Sequence, residues 1–432
     1  MKPGRLVLVL ALWLSTGPAY GNGAFPDSQA VLTPEDRPLE ILLSTNFGVI
    51  RSDDGGAKWT WSCEQDPNGM RNLYQLGPAP RHRLFARDSG GLVFTDDLGC
   101  NWTVATGALA GAVISDAFPD PTNAERVLAV AAPLGGTGGS YRVLESSDGG
   151  TTFTDVLYTA ASGDTVSGVE ISRSNPDVVY LVISKGANLE PTLAVSVDRG
   201  MTWQEHDLVA ALGTGSVLLI AVDRVDPQRV FLQVNGATAN VLAVVDGGGA
   251  VVTTPLSLEA GFMSGFLQTE AGAILVSGLV GADPMLYRSR DGGRTFAALP
   301  APPTLWGLSE RAGTIFGAAR TGSPFAIATS VDQGSTWQPL MRYADVHTVA
   351  ACARIACEDV CLRQASLELW SEQTCSPPAP PDGSSDDGGS RDDMDKKSGC
   401  GCALAGPPAP VTLTLLTLAV PIAVRRMHRR AR

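Results

Sequence analysis

The sequence predicts an all-β protein, organised as a seven-bladed β-propeller with a small disulfide-rich appendix at its C-terminal end. Three observations support this prediction: an octet of residues returns at regular intervals, apolar residues alternate around each copy, and the 432 residues include 48 glycines and 29 prolines. Alternating apolar positions are typical of half-buried strands, and abundant Gly and Pro are typical of the turns between them. We therefore expect one large all-β domain with tails.

The octet has the pattern Ser/Thr-x-Asp-x-Gly-x-Thr-aromatic and is clearest at residues 289–296 (SRDGGRTF). Further copies occupy residues 52–59 (SDDGGAKW), 95–102 (TDDLGCNW), 146–153 (SSDGGTTF), 196–203 (SVDRGMTW) and 330–337 (SVDQGSTW), with a worn copy at 244–251. The aspartates at the third position are Asp54, Asp97, Asp148, Asp198, Asp246, Asp291 and Asp332. Their steps of 41 to 51 residues predict seven units.

Each residue type in the octet favours a tight turn between two strands. An Asp side chain accepts hydrogen bonds from backbone amides two or three residues further on, and Gly adopts a positive φ without strain. The aromatic residue at the end begins the next strand and packs over the hairpin. The octet therefore predicts a strand-turn-strand unit.

The octet is similar to the Asp-box, or bacterial neuraminidase repeat. Its spacing resembles that of the propeller families that carry the box, which include sialidases, xyloglucan-cleaving hydrolases, sortilin-like receptors and photosystem assembly factors. The resemblance implies that the box lies at the blade periphery, away from the ligand face. We therefore interpret the seven aspartates as turn stabilisers rather than as catalytic residues or calcium ligands.

A four-strand pattern cycles through residues 25–345, which we assign to the propeller. The expected innermost strands lie at residues 30–32, 72–76, 112–116, 166–171, 217–222, 262–267 and 305–308. A single four-stranded sheet cannot bury both of its faces, and radial stacking of seven sheets buries them. Residues 346–354 (VHTVAACAR) also resemble an innermost strand, so an eightfold ring is the alternative; we expect this segment to close the ring beside the first blade or to begin the appendix.

The N-terminal residues 1–21 have the layout of a secretory signal peptide. Lys2 and Arg5 precede an apolar run at residues 6–14, and Pro18 with small residues follows. A buried N-terminal helix is the alternative, but the run is short and the Gly/Pro segment after it breaks helices. We expect cleavage near Gly21 and an exported protein.

The appendix, residues 346–375, is rich in cysteine. Its four cysteines are Cys352, Cys357, Cys361 and Cys375. In an exported chain they suggest two disulfides, with three pairings open. A zinc site is the sharper alternative, although it lacks paired C-x-x-C spacing and His partners. Cys63 and Cys100 lie beside the first two octets on neighbouring blades, and we predict that they bond to each other.

The C-terminal end combines a linker with a sorting segment. Residues 376–399 are rich in Pro, Gly, Ser and Asp, which predicts a disordered tether. Residues 400–432 contain Cys400 and Cys402, a weakly apolar span and five arginines. This order of parts resembles the myxobacterial C-terminal sorting signal, which implies tail removal by a membrane protease, lipid attachment on one of these cysteines and anchoring at the cell surface or outer membrane. A simple single-pass anchor is the alternative.

The net charge excludes one class of partner. Removing both processed ends takes away seven Lys or Arg and no Asp or Glu, which moves the formal charge from −12 to −19. Nucleic acid is therefore not expected to bind, because such a surface repels phosphate. The sequence indicates no cofactor and no metal site.

A propeller fold does not imply an activity, so any catalytic residues must be identified by their own motifs. The Arg-Ile-Pro motif of sialidases is missing, and the chain has only one propeller's worth of repeats, whereas the xyloglucan-cleaving enzymes use two. We interpret the channel carboxylates Asp116, Asp164 and Asp345 as solvated or turn-forming residues. Candidate contacts at the central channel are Arg71, Asp164, Phe262, Trp306 and His347.

The function expected from these observations is a non-catalytic binding or scaffold module for an extracellular glycan or protein. The alternatives are a sialidase-like glycoside hydrolase with its active site in the central channel, and a sortilin-like receptor. Only the first alternative requires turnover of a substrate.

Overall fold

The structure is a computed structural model that describes residues 27–64, 71–133, 139–236, 238–320 and 322–376. Within these ranges, seven blades of four antiparallel strands follow one another along the chain, with a fifth strand added in parallel to the first blade and a two-stranded pair beside the third. The predicted fold class, an all-β propeller with seven blades, is confirmed. The predicted signal peptide, the linker from residue 377 and the sorting segment with Cys400 and Cys402 lie outside the described residues.

The first four blades run from residue 28 to residue 207. Blade 1 contains β1 (Ser28–Leu32), β2 (Ile41–Thr45), β3 (Gly48–Ser52) and β4 (Trp59–Cys63). Blade 2 contains β5 (Asn72–Leu76), β6 (Leu84–Asp88), β7 (Gly91–Thr95) and β8 (Thr103–Val104). Blade 3 contains β10 (Val113–Pro119), β11 (Val127–Ala132), β12 (Arg142–Ser146) and β14 (Asp155–Thr159), with a short parallel pair β9 (Thr106–Gly107) and β13 (Thr152–Phe153) beside it. Blade 4 contains β15 (Thr165–Ile171), β16 (Val179–Lys185), β17 (Glu190–Ser196) and β18 (Gln204–Asp207).

The remaining blades and the appendix complete the described chain. Blade 5 contains β19 (Ser216–Val222), β20 (Val230–Asn235), β21 (Ala239–Asp246) and β22 (Val251–Glu259), and the one-turn helix α1 (Val209–Leu212) precedes it. Blade 6 contains β23 (Gly261–Gln268), β24 (Ile274–Val280), β25 (Asp283–Ser289) and β26 (Ala297–Ala298). Blade 7 contains β27 (Leu305–Arg311), β28 (Thr314–Ala319), β29 (Ile327–Ser330) and β30 (Gln338–Met341). The appendix contains β31 (Val346–Val349) and α2 (Arg354–Ser366), with 3₁₀ turns at Tyr343–Asp345 and Glu372–Cys375.

The apolar core is divided among the spaces between neighbouring blades. Phe85 of blade 2 shares one buried cluster with Phe153 of blade 3, and Tyr180 of blade 4 shares another with Leu232 of blade 5. A single sheet has no partner for its faces, so each blade is stabilised by the blades on either side. The ring must therefore close if the first and last blades are to bury their outer faces.

The innermost strand of every blade carries a β-bulge. In blades 3, 4 and 6 the extra residue is a serine, namely Ser115, Ser167 and Ser264. Each of these hydroxyls donates to a backbone carbonyl of the next blade's innermost strand, at 3.2, 2.8 and 2.6 Å respectively. A bulge leaves one residue unpaired within its own sheet, which frees it to bond elsewhere. The bulges thus link neighbouring blades around the channel.

Two features close the ring between blade 7 and blade 1. Strand β27 packs against β1, where a Cβ added to Gly307 would lie 2.9 Å from the Cα of Ala30. Strand β31 adds in parallel to β4, at the outer edge of blade 1. Residues 346–349 therefore extend the first blade, and they do not begin an eighth one.

The disulfides fasten the appendix to the first two blades. The bonds are Cys63–Cys357, Cys100–Cys352 and Cys361–Cys375. The predicted Cys63–Cys100 bond is therefore wrong, and the appendix contains one internal disulfide instead of two. The physical reason is the docking of β31 against β4, which brings the appendix cysteines to Cα distances of 5.5 and 5.6 Å from Cys63 and Cys100.

Six octets share one pattern of hydrogen bonds at the outer strands. In blade 6, the Ser289 hydroxyl donates to Asp291 at 2.7 Å and accepts from the Gly293 amide at 2.9 Å, while Asp291 accepts the Arg294 and Thr295 amides, both at 3.0 Å. Gly293 has a φ of +84°, which favours glycine. The worn copy in blade 5 differs, because Asp246 accepts a hydrogen bond from Nε of Arg229 at 2.5 Å.

Candidate ligand-binding site

Two aromatic side chains meet at the end of the channel where the innermost strands begin. Phe262 is the second residue of β23 and Trp306 is the second residue of β27. Their ring centroids lie 5.4 Å apart with an interplanar angle of 34°, and both side chains are half-buried. Sequence analysis named both residues, and the structure brings them together. Two tilted rings that stay accessible form a platform for an apolar or ring-shaped ligand.

Trp306 owes its position to the bulge in β27. It is the extra residue between Leu305 and Gly307, the position that serine occupies in three other blades. Its Nε1 donates to Oδ2 of Asp27 at 3.2 Å, just before β1, so it still links its blade to the next one. The guanidinium of Arg320 lies 5.1 Å from the centroid of the Trp306 ring. We call Asp27, Phe262, Trp306 and Arg320 the mouth patch.

A hollow of about 270 Å³ adjoins the mouth patch. We call it the rim hollow; it is lined by Arg320, Gly322, Ser323, Pro324, Phe325, Ala326, Arg342, Tyr343, Leu367 and Leu369. Tyr343 is fixed by a 2.7 Å hydrogen bond between its hydroxyl and that of Ser28, and burial raises its pKa above the usual range. Arg320 belongs to both the patch and the hollow, so the two form one continuous surface.

The other three candidate contacts lie elsewhere. Arg71 is buried in blade 2, where it pairs with Asp88 at 3.1 Å and its guanidinium lies 4.1 Å from the Trp102 ring. Asp164 accepts the Gly186 amide at 2.9 Å, so it shapes a turn at the start of blade 4. His347 lies on β31, four strands away from β1 in the sheet of blade 1. His347 therefore belongs to the periphery and not to the channel, because β31 pairs with the outer strand.

Asp116 corrects the interpretation of the channel carboxylates. It is half-buried and links two blades, which the sequence did not predict: its Oδ2 accepts the amide of Val169, on the next blade's innermost strand, at 2.9 Å. Burial raises its pKa to about 6 despite this hydrogen bond. Asp345 does form a turn, by accepting the Arg342 amide at 2.7 Å.

Glu170 is a channel residue that sequence analysis missed. Its Oε1 accepts the Val222 amide of blade 5 at 2.9 Å, and burial, followed by the charge of Asp116, raises its pKa to about 8. Its signal in the sequence is a single acid within an otherwise apolar innermost strand (TVSGVEI). Glu170 and Asp116 therefore repeat the same role, since each holds an amide of the following blade.

The opposite end of the channel is crossed by the connection between β1 and β2. Glu35 in this connection pairs with Arg173 of blade 4 at 2.8 Å and approaches Arg224 of blade 5 at 3.6 Å. Asp36 in the same loop lies 2.9 Å from Nε2 of His82. Because blades 4 and 5 lie across the ring from blade 1, this loop covers the channel axis. A ligand that enters the channel is thus expected to do so past the mouth patch.

The described residues lack two further kinds of feature. The described ranges contain no group of three or more His, Cys, Asp or Glu placed to hold a metal ion. None of the helices in this part of the chain combines the length and apolar character needed to cross a bilayer. The predicted anchor segment lies outside these ranges.

Comparisons with known proteins support the fold. No protein-family model matches the chain, and no curated protein matches it in sequence. Among solved structures, a puromycin-hydrolysing peptidase of Mycobacterium tuberculosis is 15% identical with a TM-score of 0.51, over 74% of this chain and 53% of that chain. An ancestral GH74 enzyme is 13% identical with a TM-score of 0.50, over 72% and 46%. The propeller domain of the Trilobed protease from Pyrococcus furiosus is 8% identical with a TM-score of 0.50, over 74% and 99%.

These likenesses define a fold class and nothing finer. The chain spans about half the length of the first two proteins and nearly the whole propeller domain of the third. At such identities the shared property is the β-propeller architecture. The activities named for those proteins therefore stay with them.

Proposed function

We propose that this chain is an exported, surface-anchored propeller of the Asp-box type that binds an extracellular glycan or protein ligand without altering it. The observation that carries the proposal is the Phe262–Trp306 pair, accessible at the one channel end that the β1–β2 connection leaves uncovered. Aromatic residues held in place by a scaffold lose little conformational entropy on binding. The mouth patch therefore has the properties of a recognition surface.

The carboxylates argue for binding over hydrolysis. Glycoside hydrolysis requires two carboxyl groups that flank the scissile bond. The mouth patch contains one, Asp27, which already accepts the indole N–H of Trp306. Asp116 and Glu170 are each engaged with an amide of the next blade. We therefore assign these three acids to the scaffold.

A glycan and peptide array probed with the full chain tests the proposal. We expect retention of at least one ligand class, loss of retention in Trp306→Ala, and unchanged ligand mass after incubation. Leu218→Ala, at a similarly exposed apolar position of another innermost strand, serves as the control. Equal retention by wild type and Trp306→Ala would place recognition outside the mouth patch.

A glycoside hydrolase is the second candidate. The raised pKa of Glu170, about 8, would keep this carboxyl protonated at neutral pH, as a general acid requires. Release of dye from fluorogenic glycosides, abolished in Glu170→Gln, would support this alternative. The absence of turnover in both proteins would remove it.

Surface anchoring is tested by intact mass. We expect the mature protein, extracted from its native membrane, to end near Cys400 or Cys402 and to carry an acyl group. A mass that includes residues 403–432 would remove the sorting-signal part of the proposal.

A further inference from the structure

We propose that the rim hollow binds the carboxylate of an acidic sugar, so that the ligand of the mouth patch is a uronic-acid-containing glycan. The inference rests on the proposed function and names the ligand class of the same surface. It follows from the charges, the size and the position of the hollow.

The charges of the rim hollow oppose the overall charge of the protein. The full chain has a formal net charge of −12. Among the described residues, those that line the hollow include Arg320 and Arg342 and no acid. Two nearby acids are already engaged, since Asp27 lies 4.0 Å from Nε of Arg320 and Asp345 accepts the backbone amide of Arg342. A third, Glu368, lies between the lining residues Leu367 and Leu369 and is exposed to solvent. An anion is therefore the ligand that this lining attracts.

Both guanidinium groups have donors to spare. Nε of Arg342 donates to the carbonyl of Pro324 at 3.1 Å, which orients the side chain along the hollow. No hydrogen bond joins the terminal nitrogens of Arg320 or Arg342 to another described residue. Two such groups favour a planar, bidentate acceptor, and a carboxylate matches this geometry.

The size and position of the hollow favour a sugar ring. Its volume of about 270 Å³ is smaller than that of a drug-sized site and suits a single ring. Arg320 lies over the Trp306 ring, so a carboxylate held in the hollow places the neighbouring ring of a chain beside Phe262 and Trp306. Stacking on aromatic faces suits the flat apolar face of a sugar. An acidic peptide matches the arginines but makes less use of the platform.

Calorimetric titration of the full chain tests the inference with two matched probes, oligogalacturonate and its methyl ester. We expect the acid to bind at least tenfold more tightly than the ester, and Arg320→Gln combined with Arg342→Gln to lose this preference. Arg290→Gln, at an exposed arginine of the blade 6 octet, is the control and should keep it. The preference should also weaken as salt is raised, because exposed charges are screened.

The other outcomes each decide between the two proposals. If the acid and the ester bind equally and both lose binding in Trp306→Ala, the carboxylate inference is overturned. The proposed function as a binding module is then still supported. Tighter binding of poly-glutamate than of oligogalacturonate would overturn the sugar in favour of an acidic peptide. If neither sugar binds while the array retains a different ligand, only the inference fails; if the array is also empty, the proposed function fails with it.

Discussion

The octet turns and the mouth patch differ in how they use the same repeat. Six octets form one hydrogen-bond pattern between the outer strands of their blades, whereas the mouth patch occurs once, between blades 6 and 7. At the bulge of the innermost strand, three blades carry a serine that bonds to the next blade, and blade 7 carries Trp306. Residues that recur at the same place in several blades stabilise the blade structure. A departure at an otherwise repeated position indicates where the ring serves another purpose.

This comparison divides side chains into those that support stability and those that support binding. The hydroxyl of an octet serine is buried and makes two hydrogen bonds, so its loss weakens the blade. Trp306 is half-buried and faces the mouth of the channel, so its loss should have little effect on the stability of the blade.

The largest effect is expected at the two disulfides that join the appendix to blades 1 and 2. Replacing Cys63, Cys100, Cys352 and Cys357 by serine removes both cross-links from the appendix to the first two blades, which join residues 294 and 252 positions apart. The loss should be about 5 kcal/mol of unfolding free energy, because a long cross-link restricts the unfolded chain most. Urea unfolding measures the loss. The control is Cys361→Ser with Cys375→Ser, which opens a loop of 14 residues and should cost less. Equal losses would mean that loop length does not determine how much these disulfides stabilise the fold.

The second effect contrasts two tryptophans of the same blade. Trp337 ends an octet, packs with Leu275 and Leu286, and donates to the Gly334 carbonyl at 3.1 Å. Trp337→Ala should cost about 2–4 kcal/mol by cavity formation, and Trp306→Ala about 1 kcal/mol or less. Thermal unfolding of the two variants measures the difference. Similar losses would show that Trp306 supports the blade as much as the octet does, and would break the comparison.

The third effect isolates a single octet. Ser289→Ala removes the hydroxyl that joins Asp291 to the Gly293 amide and should cost about 1–3 kcal/mol, because both partners lose a hydrogen bond. Chemical denaturation is the measurement. Ser162→Ala, at an exposed turn, should change stability by less than about 0.5 kcal/mol. A neutral Ser289→Ala would mean that the turn holds without its hydroxyl, as the worn copy does.

The last effect is a dependence on pH, and per pH unit it is the smallest of the four. Burial raises the pKa of Glu170 from its ordinary value of 4.5 to about 8, so the folded state retains a proton that the unfolded state has lost. Its stabilising contribution is full below about 4.5 and is lost as pH rises through 8, at about 1 kcal/mol per pH unit or less. Unfolding free energy from pH 5 to 9 should therefore fall more steeply in wild type than in Glu170→Gln. Parallel curves would show that Glu170 titrates normally in the folded chain.

The pKa values of the octet aspartates are shifted in the opposite direction, and these shifts affect stability only at acidic pH. Hydrogen bonds from Thr202 and Thr336 lower the pKa of Asp198 and of Asp332 to about 2. Their contribution is present above the ordinary value of 3.8 and is lost as pH falls toward 2. They therefore leave the range used for Glu170 undisturbed.

Local sequence accounted for the fold but for only part of the site. The octets and the innermost strands could be predicted from the sequence, because they depend on contacts within a few residues, such as the Ser289–Asp291–Gly293 turn. Phe262 and Trp306 could be predicted as channel contacts, because both are aromatic residues near the beginning of an innermost strand. The role of Glu170 could not, because its partner amide belongs to Val222, 52 residues away on another blade.

What the sequence by itself determined is therefore the unit and its number, since a turn is specified by its own residues and the spacing of turns counts the blades. The tertiary structure decided which distant groups meet. It paired Cys63 and Cys100 with the appendix, moved His347 to the periphery, brought Glu35 across the ring to Arg173 and placed Arg320 over Trp306. The physical reason is that these contacts depend on the closure of the ring, which sums the geometry of all seven blades and is encoded in no single one.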